Sequence, residues 1–167
     1  NNELAGRIEY LTTANTSFGA NALLNNSSGT SNTAFGTSSL VSNTSGTDNV
    51  GLGKSSLFSN DNGNYNTAIG SNSLTANTSG LENVAVGYSA LSNNDANYNT
   101  ATGTSSLTLN TSGFGNTANG YNALSSNETG NGNTAIGTNS LLSNLTGTFN
   151  TAIGFGANVG QDGLTNA

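Results

Sequence analysis

The sequence predicts an all-β protein, a parallel β-solenoid of the β-roll or β-helix kind with about nine rungs of 17 residues. Three observations carry that expectation. A pentapeptide of the form Asn-Thr-Ala-Ile-Gly opens at Asn15, Asn32, Asn49, Asn66, Asn83, Asn99, Asn116, Asn133 and Asn150, every 17 residues except for one step of 16. A glycine closes each pentapeptide, from Gly19 to Gly154, and a leucine stands eight residues after the opening Asn, from Leu23 to Leu141. Proline is absent, as suits a chain whose amides are nearly all donated to a ladder. A period this short leaves room for one circuit of chain per repeat, each stacked on its neighbours.

Each rung is expected to hold two short extended runs, around Thr-Ala-Ile and around Ser-Leu, separated by Gly and Asn turns. The closing glycine, as at Gly70, marks a turn that needs positive φ or close backbone approach. The leucine column is the main core stripe. The residue before each leucine is always Ala or Ser, and the third pentapeptide position is Ala except at Ser17 and Gly51; such columns indicate tight packing. A second asparagine column, Asn26, Asn43, Asn60, Asn77, Asn94, Asn110, Asn127 and Asn144, is usually followed by Gly, as in Asn43-Thr-Ser-Gly46. That is turn chemistry, with Asn tolerating left-handed backbone and Gly supplying positive φ. Stacked at about 4.8 Å, such side chains can also pass amide hydrogen bonds between rungs.

The fourth pentapeptide position runs Phe18, Phe35, Leu52, Ile69, Val86, Thr102, Asn119, Ile136 and Ile153. Its polar members, Thr102 and Asn119, argue against a sealed core and for a second chain or a wet seam. Residues 1–14, with Leu4, Arg7, Ile8, Tyr10 and Leu11, are expected to cap the first rung or link to it. Residues 15–167 form the repeat domain, whose C-terminal edge near Leu164 is expected to continue beyond Ala167 or to meet another subunit, since an uncovered ladder recruits strands.

Composition excludes several function classes. Without Cys or His the usual zinc, haem and iron–sulfur ligand sets cannot be assembled, nor a Cys or His catalytic pair. Arg7 and Lys54 stand against eight carboxylates, a net charge of -6, so no basic groove for nucleic acid exists. No stretch approaches the roughly 18 to 20 apolar residues of a membrane span. Asp48 and Glu82 share a column but sit two rungs apart, and Asp61-Asn-Gly-Asn64 matches only part of a calcium loop, without its closing Glu. No catalytic residue, metal site or cofactor is expected. Triplets such as Asn15-Thr-Ser17 and Asn144-Leu-Thr146 match the glycosylation acceptor pattern, yet they fall on the turn columns of the repeat, which explains them without modification.

Runs such as Asn66-Thr-Ala-Ile-Gly70 followed by Ser-Leu and Asn77-Thr-Ser-Gly80 resemble the head repeats of bacterial trimeric adhesins, and more closely the repeat arrays in surface and fibre proteins of Bacteroidetes-type bacteria and of phages. The resemblance implies a parallel β-roll or β-helix, usually trimeric, in an extracellular fibre or adhesin. The rung here is longer than the adhesin-head period, and no stalk, anchor barrel or chaperone domain is present in this sequence.

Near-perfect repetition without a unique polar cluster points to a non-enzymatic module, a structural and adhesive fibre at a cell surface, since catalysis needs one special place. Its expected partners are further copies of itself, as a trimer with end-to-end stacking, and carbohydrate or another cell surface. A phage or virion fibre shaft is the alternative within that class. Ice binding is the alternative outside it, motivated by the column Thr16, Thr33, Thr67, Thr100, Thr117, Thr134 and Thr151, interrupted by Val50 and Val84.

Overall fold

The computed structural model describes residues 6–8, 14–159 and 163–165. Ten three-residue strands form one sheet in strict chain order: β1 Gly6–Ile8, β2 Thr16–Phe18, β3 Thr33–Phe35, β4 Val50–Leu52, β5 Thr67–Ile69, β6 Val84–Val86, β7 Thr100–Thr102, β8 Thr117–Asn119, β9 Thr134–Ile136 and β10 Thr151–Ile153. Strands β2 to β10 are parallel and in register, so that Ala68 lies beside Ala85 and Ile69 beside Val86. Each strand is one side of one rung, and the chain is a β-solenoid. β1 lies antiparallel against the outer edge of β2, with Arg7 opposite Ser17. Leu4, Tyr10, Leu11, Asn166 and Ala167 lie outside the described residues.

The strands obey the two-residue alternation of β structure. The central residue, Ala34, Ala68, Ala85 and their equivalents, is buried, while its neighbours on either side point outward. Gly51 takes the place of alanine in β4, and the space is used: the Ser39 hydroxyl donates to the Gly51 carbonyl at 2.9 Å. Elsewhere the serine of that column bonds the carbonyl three residues before it, as Ser73 does to Gly70 at 2.8 Å.

The Ser-Leu run is not a strand. It is a turn, and its leucines are left-handed, with φ of 50° at Leu40 and 48° at Leu74. The residue two before each leucine is left-handed as well, as at Ser38 and Asn72, and so is the residue before the opening asparagine, as at Tyr65 and Glu82. A left-handed L-residue costs about 1–2 kcal/mol and persists only where its surroundings over-determine it. Here the leucine side chain is completely buried from Leu40 to Leu141, worth about 1.5–3 kcal/mol. Its N–H still reaches the next rung, Leu40 to the Ser56 carbonyl and Leu74 to the Ala90 carbonyl, each at 3.0 Å.

Asparagine is as common in the interior as Ala and Leu together. The opening asparagines are buried, and each side chain serves its neighbours: Asn66 donates through Nδ2 to Asn49 Oδ1 at 3.2 Å and to the Gly80 carbonyl at 2.8 Å, while Asn49 Oδ1 also accepts the Asn66 N–H at 3.0 Å. The second asparagine column forms its own ladder, Asn60 to Asn43 at 2.8 Å and Asn77 to Asn60 at 2.9 Å. Buried amides are tolerable only when satisfied in this way. The glycine three residues later does not supply positive φ. A Cβ on Gly63 would sit 2.4 Å from Asn60 Oδ1 and 2.6 Å from the Gly80 carbonyl oxygen, so glycine is needed there for close approach. Positive φ belongs to the pentapeptide glycines, such as Gly70 at 134°.

Candidate functional site

Two surfaces stand out on the exterior. The first is the outward face of the sheet. The fourth pentapeptide position points to solvent, with Phe18 and Phe35 stacked at 5.1 Å between ring centroids and Ile69, Ile136 and Ile153 exposed, the last by 68%. Leu52 and Val86 are half-buried, and Thr102 and Asn119 are exposed members of the same outer column. The second position, the Thr and Val column, flanks it on the same face because the intervening residue points inward. The face is therefore two columns wide, and neither column contains a charged residue. A contiguous apolar stripe of this kind on a protein surface marks an interaction site or an aggregation liability.

The second surface arises from the single short step in the repeat. In ordinary rungs the turn after the second asparagine gathers two or three amides on one carbonyl: Thr44, Ser45 and Gly46 donate to the Asp61 carbonyl at 3.0, 3.0 and 3.1 Å. In the rung 83–98 the turn is one residue shorter, reading Asn94-Asp95-Ala96 where the rung before it reads Asn77-Thr-Ser-Gly80. The Asp95 carboxylate moves into the place of the missing carbonyl. Its Oδ1 accepts from Thr78, Ser79 and Gly80 N–H at 2.8, 2.7 and 3.2 Å, and its Oδ2 accepts the Thr78 hydroxyl at 2.6 Å. Successive amides converging on one oxygen form an anion-binding nest. Burial pushes the Asp95 carboxyl pKa upward, but the Ser79 amide, the Thr78 hydroxyl and amide and the Gly80 amide together outweigh it and hold the group below the ordinary carboxylate range.

The shortening also breaks the amide ladders. Asn94 Nδ2 keeps the bond within its own turn, to the Ala96 carbonyl at 2.9 Å, but not the one to the rung before, and Asn77 Oδ1 is left buried without a partner. Asn99 Nδ2 crosses from its own column to Asn94 Oδ1 at 3.1 Å. Outside, the missing residue leaves a groove of about 590 Å³ lined by Asp95, Asn97, Tyr98, Thr111, Ser112 and Phe114.

Other candidate residues are not brought together. Asp48 and Glu82 are separate exposed side chains, and Asp61 accepts a hydrogen bond from the Thr44 hydroxyl. Among the described residues no three acidic side chains cluster as a metal site would require. The acceptor triplets that start at Asn43, Asn77, Asn110 and Asn127 begin on buried asparagines whose amides are committed to the ladder, which closes them to modification in the folded chain. The short rung was visible in the sequence as the 16-residue step, together with the loss of the turn glycine and the arrival of Asp95; its groove was not. No family model, curated protein or solved structure matches this chain.

Proposed function

We propose that this chain is a rigid, self-associating rod of an extracellular fibre or adhesin, in which identical chains pack side by side through the outward sheet face, most simply as a trimer. The outward-facing apolar column from Phe18 to Val86, resuming at Ile136 and Ile153, carries this reading. Nine rungs at about 4.8 Å make a face roughly 40 Å long. With a breadth of roughly 12 to 18 Å for two outward columns and their rims, it offers roughly 500–750 Å² per chain, which a trimer divides between two neighbours, so each pairwise contact is smaller than the ~800 Å² per partner of a standard interface and association draws on both contacts at once. Because every rung repeats the contact, association grows without a new feature in the sequence. A phage or virion fibre shaft uses the same physics. The lateral route is preferred to end-to-end stacking because β1 already lies on the outer edge of β2. The direct test is whether Ile69→Lys with Ile136→Lys dissociates the oligomer while leaving the folded spectrum intact.

A second reading, ice binding, is favoured by one observation: the threonine column is flanked by a second outward column on a charge-free, in-register sheet, which makes the face a lattice and not a line. Freezing-point depression beyond the colligative value supports that reading, and depression equal to it rejects it.

A further inference from the structure

The groove beside the short rung is lined by the shortened turn itself. Two rungs earlier, Tyr65, Glu82 and Val84 line a shallower hollow of about 480 Å³, with a single carboxylate and no side-chain amide. At the short rung two exposed aromatic rings, Tyr98 and Phe114, each 54% accessible, share the groove with a carboxylate, a side-chain amide and two hydroxyls. Several of these polar groups have capacity to spare. Asn97 Oδ1 accepts the Leu81 N–H at 2.8 Å, but its Nδ2 donates to nothing among the described residues, and the Ser112 and Tyr98 hydroxyls are likewise without partners there. Asp95 Oδ2 receives only the Thr78 hydroxyl. Its position is fixed by the nest on its other oxygen, so it is presented rigidly.

A fixed acceptor beside a free amide donor, next to flat apolar rings, is the combination that a sugar ring satisfies. Vicinal hydroxyls donate to the carboxylate and accept from the amide, while the C–H face of the ring covers an aromatic surface. A volume of about 590 Å³ lies within the usual range of small-molecule sites, which pair apolar linings with a few placed polar groups. Charge selects the class of sugar. Asp95 is the charged residue of the groove lining and the chain carries a net -6, so an anionic sugar meets repulsion with no cation in the lining to offset it.

We propose that the groove beside Asp95 binds a neutral pyranose unit of a glycan, with its apolar face on Tyr98 or Phe114 and a pair of hydroxyls between Asp95 and Asn97. This places carbohydrate recognition once per chain, at the irregular rung, and it does not depend on lateral association. The site lies at a turn corner, off the paired columns of the sheet face.

The full chain, labelled with nitrogen-15, is titrated separately with methyl glucoside, methyl galactoside, methyl mannoside, N-acetylglucosamine and glucuronic acid. The expected result is saturable movement of the amide signals of residues 95–98 and 111–114 with at least one neutral sugar and none with glucuronic acid. Tyr98→Ala or Phe114→Ala should weaken that binding at least about tenfold, a loss of about 1.4 kcal/mol. Tyr98→Phe should retain it, and Phe58→Ala, on a different corner, should bind as the parent does. Absence of saturation with all four neutral sugars overturns the proposal, as do shifts spread evenly over all rungs or equal losses in the Tyr98→Ala and Phe58→Ala chains. A monomeric chain that still binds sugar rejects lateral association and leaves this site standing.

Discussion

Asn77 and Asn94 occupy successive places in one asparagine ladder and do not bond to each other: the buried Oδ1 of Asn77 has no partner, and Asn94 Nδ2 keeps only the bond within its own turn, to the Ala96 carbonyl at 2.9 Å. The cause is a single missing residue between Asn94 and Asn99. Inserting one glycine between Ala96 and Asn97 restores the 17-residue rung with glycine at the close-approach position and should restore the bond from Asn94 Nδ2 to Asn77 Oδ1. An unsatisfied buried acceptor costs about 1–3 kcal/mol, so chemical denaturation should show a stabilisation of that order, accompanied by loss of the groove. A less stable chain after insertion would mean that the short rung is better packed than its hydrogen bonding indicates.

The left-handed leucines make a second prediction. Leu74→Ala should cost about 2–5 kcal/mol from the lost burial and the cavity, since Leu74 is completely enclosed. Gly70→Val should be comparably harmful, because a Cβ there meets the Gly87 carbonyl oxygen at a φ of 134°. Glu82→Gln, at an exposed position, should leave the melting temperature within error of the parent. Equal shifts in all three would show that the columns have been misassigned.

Glycines of two kinds should respond oppositely to alanine. A Cβ on Gly63 meets a backbone carbonyl and a ladder amide, and Gly63→Ala should lower stability by more than about 1 kcal/mol. A Cβ on Gly51 meets only the Ser39 and Ser56 hydroxyls at 2.5 and 3.0 Å and ordinary contact with Leu40. The Ser39 hydroxyl has an alternative acceptor of the kind Ser73 uses, so Gly51→Ala should be neutral or stabilising by up to about 1 kcal/mol. Thermal melts of the two variants side by side decide it.

Asp95 sets a pH dependence. Its carboxyl is held below its ordinary value of 3.8 in the folded chain, so the unfolded chain binds a proton at higher pH than the folded one does. The resulting stability is fully present at neutral pH, declines as pH falls below the ordinary carboxylate value, and is lost once pH passes through the folded pKa. The gap in stability between the parent and Asp95→Asn should therefore be constant from neutral pH down to mildly acid solution and close at lower pH. A gap that persists unchanged into strong acid would exclude the charge as its cause.

Most of the fold could be read from the sequence because each rung repeats the same constraint. Gly70, Leu74 and Ala68 recur in columns, and a column is a packing statement made seven to nine times over. The conformation of the leucines could not be read, since leucine in a Ser-Leu run has no local preference for positive φ and adopts it only because neighbouring rungs bury it. The role of Gly63 was misread for a related reason: close approach to Gly80 is a property of the stack, invisible within one rung. The apolar column was legible as anomalous at Thr102 and Asn119, and its outward direction follows from the inward alanine beside it. The groove depended on where the Asp95 side chain goes once a residue is lost, which no pattern of neighbours encodes.

The central claim is that the outward sheet face joins identical chains. Light scattering on the purified chain across a range of micromolar concentrations tests it most directly. The account predicts a mass of about three times the 16.6 kDa chain, falling towards a single chain in the Ile69→Lys, Ile136→Lys variant. A folded parent that stays at one chain mass as concentration rises, or a variant that associates as the parent does, would contradict it.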